Sequence, residues 1–473
     1  MYQLRNPDDT IAAVSTPMGT GGIGIVRLSG RQALDVAGRI FSAKSGRSVA
    51  EFKSATVHYG WIVRNSEMSD VRSRKMDIVD EVLLTVMRGP RSYTAEDVVE
   101  ISCHGSAVSL KAILTLALEN GARLAEPGEF TQRAFLNGRI DLTQAEAVLD
   151  IINAKTETFL RVSANQLKGE LSSELEGIRE RLMTVYTELE AVLNFPEDDI
   201  DSAGKEALRR ALSEAEARIG KLLQTSGHGK ILRDGMKIVI CGKPNVGKSS
   251  LLNVLLRESR AIVTPIAGTT RDPIEESAQI KGIPLRLVDT AGILEPRDMI
   301  EEEAVRRSRL LMKSADLVLL VLDASREMTA EDKSMIDAVQ GQNAVAVLNK
   351  CDLGRNIPSD ELEKTFPGRR AVAVSALKKT GIEDLEEAIG SAVLRGEPAD
   401  AGGVLVSNVR HIQALTACRA SAGKAADLLQ QGLSAEFVSE EIKTAVNALD
   451  SITGRNVDAD LLDRIFSDFC IGK

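Results

Sequence analysis

The stretch Gly242-Lys243-Pro244-Asn245-Val246-Gly247-Lys248-Ser249 restricts this chain more than any other. It fits G-x-x-x-x-G-K-[ST] and lies between a strand-like apolar run, residues 236–241, and a helix-like run, residues 250–256. Strand, glycine-rich turn and helix in that order make a phosphate cradle. The glycines let backbone N–H groups converge on phosphate oxygens, and the helix N-terminus adds positive potential. Lys248 is then placed to reach the β- and γ-phosphates, and the Ser249 hydroxyl to take a magnesium position. A glycine-rich turn with a chance lysine is the plain alternative, and the downstream sequence counts against it.

Asp289-Thr290-Ala291-Gly292 ends a second strand-like run, residues 285–288. Asp289 suits the magnesium shell through water, and the Gly292 N–H suits a γ-phosphate. Asn349-Lys350-Cys351-Asp352 closes a third run, residues 344–348. An ionised Asp352 only accepts hydrogen bonds. It therefore matches the two N–H donors of guanine, whereas adenine would leave the carboxylate unpaired; sites of this kind discriminate strongly. Ser375-Ala376-Leu377, after strand-like residues 371–374, fits a second guanine-contacting loop. These ordered elements predict a Ras-like P-loop GTPase. An ATP-binding relative would have no use for Asp352. Around the phosphates, Asn245, Val246, Gly247 and Ser250 join Lys248 and Ser249 as candidate contacts. Gly268-Thr269-Thr270-Arg271-Asp272 supplies a switch loop, with Thr270 a candidate magnesium ligand.

One position departs from the small-GTPase plan. Where many such enzymes carry a water-orienting glutamine after the Asp-Thr-Ala-Gly run, this chain has Ile293. Hydrolysis then needs another water-positioner, another charge stabiliser, or both. Glu301, Glu302 and Glu303 are candidates; a solvated helix start, where acids suit the dipole, is the alternative reading.

The GTPase unit, residues 235–396, occupies only part of the 473 residues, and length alone favours two to four domains. Residues 1–137 read as mixed α/β, with strand-like runs at 11–15, 23–29, 55–63, 81–87 and 98–104. Residues 138–234 carry helical periodicity: Leu149, Ile152, Leu160, Leu167, Leu171, Leu175, Ile178, Leu182, Val185, Leu189 and Val192, then, beyond Pro196, Leu208, Leu212, Ile219 and Leu222. Residues 397–473 resume it, from Ile412 and Leu415 through Val438, Ile442, Val446 and Leu449 to Leu461, Leu462 and Ile465. Helices apolar on one stripe need partners. The expected architecture is therefore multidomain α/β and all-α: an N-terminal mixed α/β domain, one helical domain made from two chain segments, and a GTPase domain inserted into it.

Composition sets the partners and the compartment. Hydrophobic and charged fractions of 43% and 27% are those of a soluble globular protein. No apolar run approaches a membrane span, and the N-terminus lacks a signal core. Cys103, Cys241, Cys351, Cys418 and Cys470 show no paired spacing, which predicts free thiols, no zinc site and a reducing, cytoplasmic setting. The net charge of −9 lacks the basic excess of a standing nucleic-acid binder. Action on RNA would need a local basic face or a helper subunit.

Three further stretches call for a reading. Gly19-Thr20-Gly21-Gly22-Ile23-Gly24 fits a dinucleotide fingerprint literally, but Ile25-Val26-Arg27-Leu28-Ser29 reads as a strand, not the helix such a site requires. A turn is expected. The polar run from Ser92 through Tyr93, Thr94, Glu96 and Asp97 to Glu100 fits the lining of a pocket and also a helix cap, with Thr94 as cap and Asp97 completing a capping box, and the two readings are compatible. Phe469-Cys470-Ile471-Gly472-Lys473 is no prenylation box. It is either a frayed end or a thiol and a lysine delivered to a site elsewhere.

These stretches together resemble one family over essentially the whole chain: the tRNA-modifying GTPases called MnmE or TrmE. The resemblance rests on residues 19–30 and 92–105, on Glu126-Pro127-Gly128-Glu129-Phe130-Thr131-Gln132-Arg133-Ala134-Phe135-Leu136-Asn137, on Asp141-Leu142-Thr143-Gln144-Ala145-Glu146-Ala147, on the GTPase loops and on the terminal Cys-Ile-Gly-Lys. Thr20, Ala95 and Ser106 are small departures. The resemblance implies a homodimer that joins a flavin-containing MnmG/GidA subunit in a heterotetramer. It implies formation of an aminomethyl or carboxymethylaminomethyl group on C5 of wobble uridine 34 in certain tRNAs. The carbon would come from a 5-formyl- or 5,10-methylene-tetrahydrofolate bound by the N-terminal, dimerising domain. By position, Arg27, Glu100, Arg139 and Lys473 become folate contacts; Arg139 stands where lysine also occurs, so charge is kept. Cys470 matches the cysteine needed for modification. The family's GTPase domains pair across the dimer, with potassium in the place of an arginine finger. Asn245, the Thr264 and Ile266 carbonyls and Thr269 match its ligands, and Thr264, Pro265, Ile266 and Ala267 thereby join the nucleotide loop. Glu301 matches the water-orienting glutamate. A rival reading is a regulatory RNA-binding GTPase of ribosome assembly or signalling, which shares the Asn245 loop but leaves the N-terminal domain and the tail without a role.

Overall fold

The structure, a computed structural model, describes residues 9–64, 77–194, 202–258, 275–289, 310–394 and 403–473. They form two compact units. One holds the chain up to Leu149 together with Leu449–Lys473; the other is Asp150–Ala448.

The first unit is built on alternation. Strands β1 (Ile11–Val14), β2 (Gly21–Ser29), β3 (Phe41–Ala43), β4 (Thr56–Arg64), β5 (Asp77–Met87), β6 (Val98–Gly105) and β7 (Arg123–Leu124) form a sheet in the order β3-β4-β5-β6-β2-β1-β7. Neighbours are antiparallel except β1 and β7. Val26 and Leu28, with Val99 and Ile101 opposite, point into a core shared with α1 (Ala33–Ile40) and α2 (Ala107–Glu119). Side chains of a strand alternate between faces. Arg27 and Glu100, which pair across β2 and β6, therefore emerge on the other face. That face also meets α3 (Glu129–Leu136), whose Phe130 packs with Ile11, Ala13, Ala125 and Tyr93. No helix follows the Gly19–Gly24 run, as the turn reading requires; Gly19 and Thr20 form a bend, but Gly21–Gly24 already belong to β2. The helix-cap reading of residues 92–97 is overturned: residues 92–96 form bends and Asp97 leads into β6, with no helix. Their polar groups serve one another instead. Asp97 Oδ1 accepts from the Gly89 N–H at 2.9 Å, and the buried Thr94 hydroxyl meets Ser29 Oγ at 2.6 Å.

The second unit joins helices to a parallel sheet. In the sheet, β8 (Met236–Cys241), β9 (Glu275–Ile280), β10 (Ile283–Asp289), β11 (Leu317–Asp323), β12 (Ala344–Asn349) and β13 (Ala371–Ala373) lie in the order β13-β12-β11-β8-β10-β9. All pairs are parallel except β9 with β10. A parallel sheet is covered on both faces, so its strands read as unbroken apolar runs; Leu317 to Leu322 are all buried. One face packs Leu251 and Leu255 of α9 (Lys248–Glu258), the other Ile336 of α10 (Ala330–Ala338) and Leu362 of α11 (Ser359–Thr365). Leu385 and Ile389 of α12 (Ile382–Leu394) complete the first face.

Helical periodicity in the flanking segments resolves into α4 (Leu142–Ile152), α5 (Glu157–Leu167), α6 (Glu170–Asn194), α7 (Ser202–Gln224), α8 (Ser226–Asp234), α13 (Val409–Gln430), α14 (Ala435–Thr453) and α15 (Ala459–Ser467). In α6 the stripe Leu171, Leu175, Ile178, Leu182, Val185 and Leu189 is buried throughout, as an amphipathic helix requires. Helices from the two flanking segments pack on one another: α7 meets α6 and α13, and Ser439 of α14 donates to Glu190 of α6 at 2.6 Å. Ile152 and Leu160, counted in the apolar stripe, are exposed instead; each stands near a helix end, where the periodic face is least complete. No helix among the described residues is long and apolar enough to cross a membrane.

Candidate nucleotide and folate sites

The phosphate-loop residues occupy the turn between β8 and α9, which opens at Lys248. Gly247 has φ +97°, and a Cβ there would run into the Asn349 side-chain amide. Only glycine fits so close an approach. Asn349 ties this loop to the base-reading loops: its amide donates to Val246 O at 2.8 Å, and its Oδ1 accepts from the Ala376 N–H at 3.0 Å. Lys350, in the left-handed region at φ 64°, donates to Asn245 O at 2.7 Å and to Asp323 Oδ2 at 2.8 Å. The loops around Asn245, Asn349 and Ser375 thus form one hydrogen-bonded body. Asp352 is exposed, one residue beyond Cys351. Ser375 and Ala376 are buried, while Leu377 is exposed. The Lys248 ammonium is buried and donates to the carbonyls of Gly242 and Lys243, both at 2.9 Å. Ser249 and Ser250 lie exposed in the first turn of α9. This amide-lined turn with a lysine at its base is a fit for phosphate oxygens. Ser249 adds a hard oxygen ligand of the kind magnesium takes.

Asp323 is a partner of Lys350 that sequence reasoning missed. Burial would raise its pKa, but hydrogen bonds from Lys350 and Ser325 outweigh that and hold the carboxyl below its ordinary value. It orients Lys350 as a fixed anion. A lone carboxylate closing an all-apolar strand, at the carboxyl edge of a parallel sheet where ligands bind, is the signal that could have found it. Lys243 is likewise held, by Thr329 at 2.7 Å and Asp332 at 2.6 Å, the capping box of α10. Thr264, Pro265, Ile266, Ala267, Gly268, Thr269, Thr270, Arg271, Thr290, Ala291, Gly292, Ile293 and Glu301 lie outside the described residues, as does the Asp289 side chain.

In the first unit, four residues far apart in sequence come to one place. Arg27 Nη2 lies 2.7 Å from Glu100 Oε1, and Arg27 Nε donates to the same oxygen at 2.8 Å. The carbonyl of Gly472 accepts from Arg27 Nη1 at 3.3 Å and from Ser15 Oγ at 3.0 Å. The tail is held along its backbone: Ile471 bridges to Pro127, the Gly128 N–H donates to Cys470 O at 3.4 Å, and the Phe130 N–H to Lys473 O at 3.2 Å. Gly472 has φ +94°, and a Cβ there would collide with Val14 O. The tail is therefore docked, not frayed. Arg139 donates to Tyr93 O at 2.8 Å, and its guanidinium carbon lies 5.0 Å from the centre of the Tyr93 ring. Burial and then the Arg27 charge hold the Lys473 ammonium below its ordinary pKa, against Glu100 and Cys470. Three cationic side chains around one carboxylate, beside aromatic rings, suit a ligand with an aromatic body, N–H donors and an anionic end. A reduced folate has all three.

The cysteines separate by environment. Burial pushes the Cys241 and Cys418 thiols up to about 12, so neither is a nucleophile at neutral pH. Cys470 is exposed on the tail.

Two family models match this chain: one for the GTP-binding protein TrmE N-terminus, over residues 10–139, and one for the MnmE helical domain, over residues 142–470. A tRNA modification GTPase MnmE of Alkaliphilus oremlandii is 46% identical over 466 residues, 98% of this chain and 99% of its own length. Its counterpart in Clostridioides difficile is 47% identical over the same shares. Among solved structures, the FeoB G-domain of Methanococcus jannaschii is 31% identical, covers 33% of this chain and 97% of its own, and has a TM-score of 0.26. With a family model over residues 142–470 and relatives 46–47% identical over nearly the full length of both chains, the chain belongs to the MnmE family of tRNA modification GTPases.

Proposed function

We propose that this protein is a potassium-dependent GTPase that, with a flavin-containing MnmG/GidA subunit, adds an aminomethyl or carboxymethylaminomethyl group to C5 of wobble uridine 34 of certain tRNAs, in the cytoplasm. Four stretches divide the work: residues 1–137 bind folate and dimerise, 138–234 and 397–473 form the helical domain, and 235–396 is the inserted GTPase. The observation that carries the reading is the docked tail, which seats Lys473 beside Arg27 and Glu100. The ribosome-directed rival gives that arrangement no use. The test is nucleoside analysis of tRNA from cells lacking the protein. Loss of the C5 modification at the wobble position is expected; an unchanged nucleoside profile would refute the assignment.

In this reading Lys248 and the amides of Asn245 to Ser249 hold the phosphates, Asp352 reads guanine, and Glu301 orients the attacking water. Ser249 and Thr270 would hold magnesium, which neutralises phosphate charge when bound. Asn245, the carbonyls of Thr264 and Ile266, and Thr269 would hold potassium, which when bound sets positive charge where negative charge develops between the β- and γ-phosphates. GTP turnover should therefore rise sharply in potassium over sodium, and Asn245→Ala should lose about 3 kcal/mol, roughly a hundredfold, of that gain. Turnover indifferent to the monovalent cation would mean that Ile293 is compensated by the protein alone.

Arg27, Glu100, Arg139 and Lys473 would hold a 5-formyl- or 5,10-methylene-tetrahydrofolate, which when bound carries the one-carbon unit; Cys470 is exposed beside this group and assigned to the modification step. Removing residues 470–473 should abolish modification and weaken folate binding while leaving basal GTP hydrolysis nearly intact, because no nucleotide motif lies in the tail. Both activities should be measured on one preparation. Full modification by the shortened protein would remove the tail from the site.

A further inference from the structure

Two aromatic rings stand at the proposed folate contacts: Phe130, 5.6 Å from the guanidinium carbon of Arg27, and Tyr93, which meets both Arg27 and Arg139. Tyr93 lies on the bend-rich segment before β6. The guanidinium carbon of Arg27 is 5.2 Å from its ring centre and that of Arg139 is 5.0 Å away. Its backbone carbonyl accepts from Arg139, and its hydroxyl lies 2.8 Å from Oγ1 of the fully buried Thr131. Thr131 belongs to α3, the helix whose Phe130 N–H holds the Lys473 carbonyl. A single side chain thus touches two of the four assigned residues and is fastened to the helix whose backbone holds the carbonyl of a third, Lys473.

The charges explain why such a ring is needed. Arg27, Arg139 and Lys473 bring three positive charges toward one carboxylate, Glu100. Glu100 takes two hydrogen-bonding groups of Arg27 and so fixes that guanidinium. Arg139 is exposed, and among the described residues its guanidinium meets the Tyr93 carbonyl and ring, with no carboxylate in an ion pair with it. Left to itself, Arg139 would swing away from the other cations into solvent. The negative face of an aromatic ring attracts a guanidinium without neutralising it. A cation held in this way keeps its charge for a ligand, and a group held in advance loses less freedom on binding.

We propose that Tyr93 is a positioning residue of the reduced-folate site: its ring holds Arg27 and Arg139 at a fixed spacing, so that both cations meet the anionic, glutamate-bearing end of the ligand. The inference rests on the folate reading above. It places the ring, not the hydroxyl, in the recognition of the ligand's charge.

The test uses the full chain, two probes and three proteins. The probes are 5-formyl-tetrahydrofolate and 6-methyl-5-formyltetrahydropterin, which lacks the anionic end. The proteins are wild type, Tyr93→Phe and Tyr93→Leu, with thermal unfolding as the control for folding. By calorimetry, Tyr93→Leu should bind the folate about tenfold more weakly, in line with the loss of ring–cation contacts. Tyr93→Phe should stay within about threefold of wild type. The pterin should bind all three proteins alike. If Tyr93→Leu does not fold, Tyr93→Met carries the same comparison. Unchanged folate binding by the Leu variant, an equal loss for both probes, or a loss in Tyr93→Phe as large as in Tyr93→Leu would each overturn the inference and leave the folate reading standing. A wild-type protein that binds neither probe would overturn the folate reading itself, and this inference with it.

Discussion

An Asp352→Asn variant should lose its guanine selectivity and gain affinity for xanthine nucleotides. The ionised carboxylate offers two acceptors to the two adjacent N–H donors of guanine. The amide offers one acceptor and one donor, so one guanine N–H faces a donor, while xanthine presents a carbonyl there. Hydrogen bonds to a charged group contribute about 1.5–3 kcal/mol each. Losing one of them, and the charge behind the other, should weaken GTP binding by roughly ten- to a hundredfold. The wild-type protein, for the same reason, should prefer GTP to ATP by about ten-thousandfold. The framework around Asp352 should survive, because Lys350 and Asn349 are fixed by Asn245, Val246, Asp323 and Ala376, not by Asp352. Competition of GTP, XTP and ATP against a fluorescent guanine nucleotide measures all three affinities. Equal hydrolysis of ATP and GTP by the wild type would remove the GTPase assignment.

The motif was legible because its parts are local. A phosphate loop needs only a strand, glycines and a helix start in sequence, so residues 236–256 declare it unaided. The strands of the first unit were legible for a similar reason: alternation such as Val26-Arg27-Leu28 marks a sheet face without knowledge of its partner. What alternation cannot give is the partner. Arg27 and Glu100 pair through the register of β2 on β6, and the tail reaches Arg27 across 445 residues. No periodicity carries that information; here a family resemblance supplied it. The helix-cap reading of residues 92–97 failed for a physical reason. Thr94 and Asp97 have the spacing of a capping box, but Ser29 and Gly89 offer them tertiary partners that a helix would forgo. Asp323 stayed hidden because a single aspartate has no pattern; its place comes from the lysine beside it. Tyr93 was legible only as part of a polar run, and its two arginine neighbours come from the fold.

Replacing Arg133 should destabilise the first unit more than any exposed substitution. Its guanidinium is fully buried and serves three carboxylates: Asp9 at 2.5 Å, Glu129 at 3.0 Å and Glu96 at 3.2 Å. Arg123 shares two of them, Asp9 at 2.7 Å and Glu129 at 2.6 Å. Arg133→Met keeps the apolar bulk but removes one of two positive charges among three negative ones. Breaking one side of a buried pair costs about 3–5 kcal/mol. Glu129 also spans the start of α3, where it accepts from the Glu126 N–H at 2.8 Å, so the loss should reach the helix that holds the tail. Acid should narrow the difference between the two proteins. For both Glu129 and Asp9, burial raises the pKa, but hydrogen bonds, from Arg123 foremost, outweigh it and leave the folded value depressed. A depressed carboxyl stabilises the fold above its unfolded pKa, near 4 for such groups, and the contribution is lost as pH falls through the folded value. At neutral pH the wild type should therefore exceed the variant by the full amount, and below about pH 4 by progressively less. Trp61, the only tryptophan, lies on β4 of the same unit and reports its unfolding. Denaturant titrations of both proteins at pH 7 and at acid pH measure the gap. A difference under about 1 kcal/mol at neutral pH, the range of an ordinary substitution, would show that Arg123 alone holds the cluster.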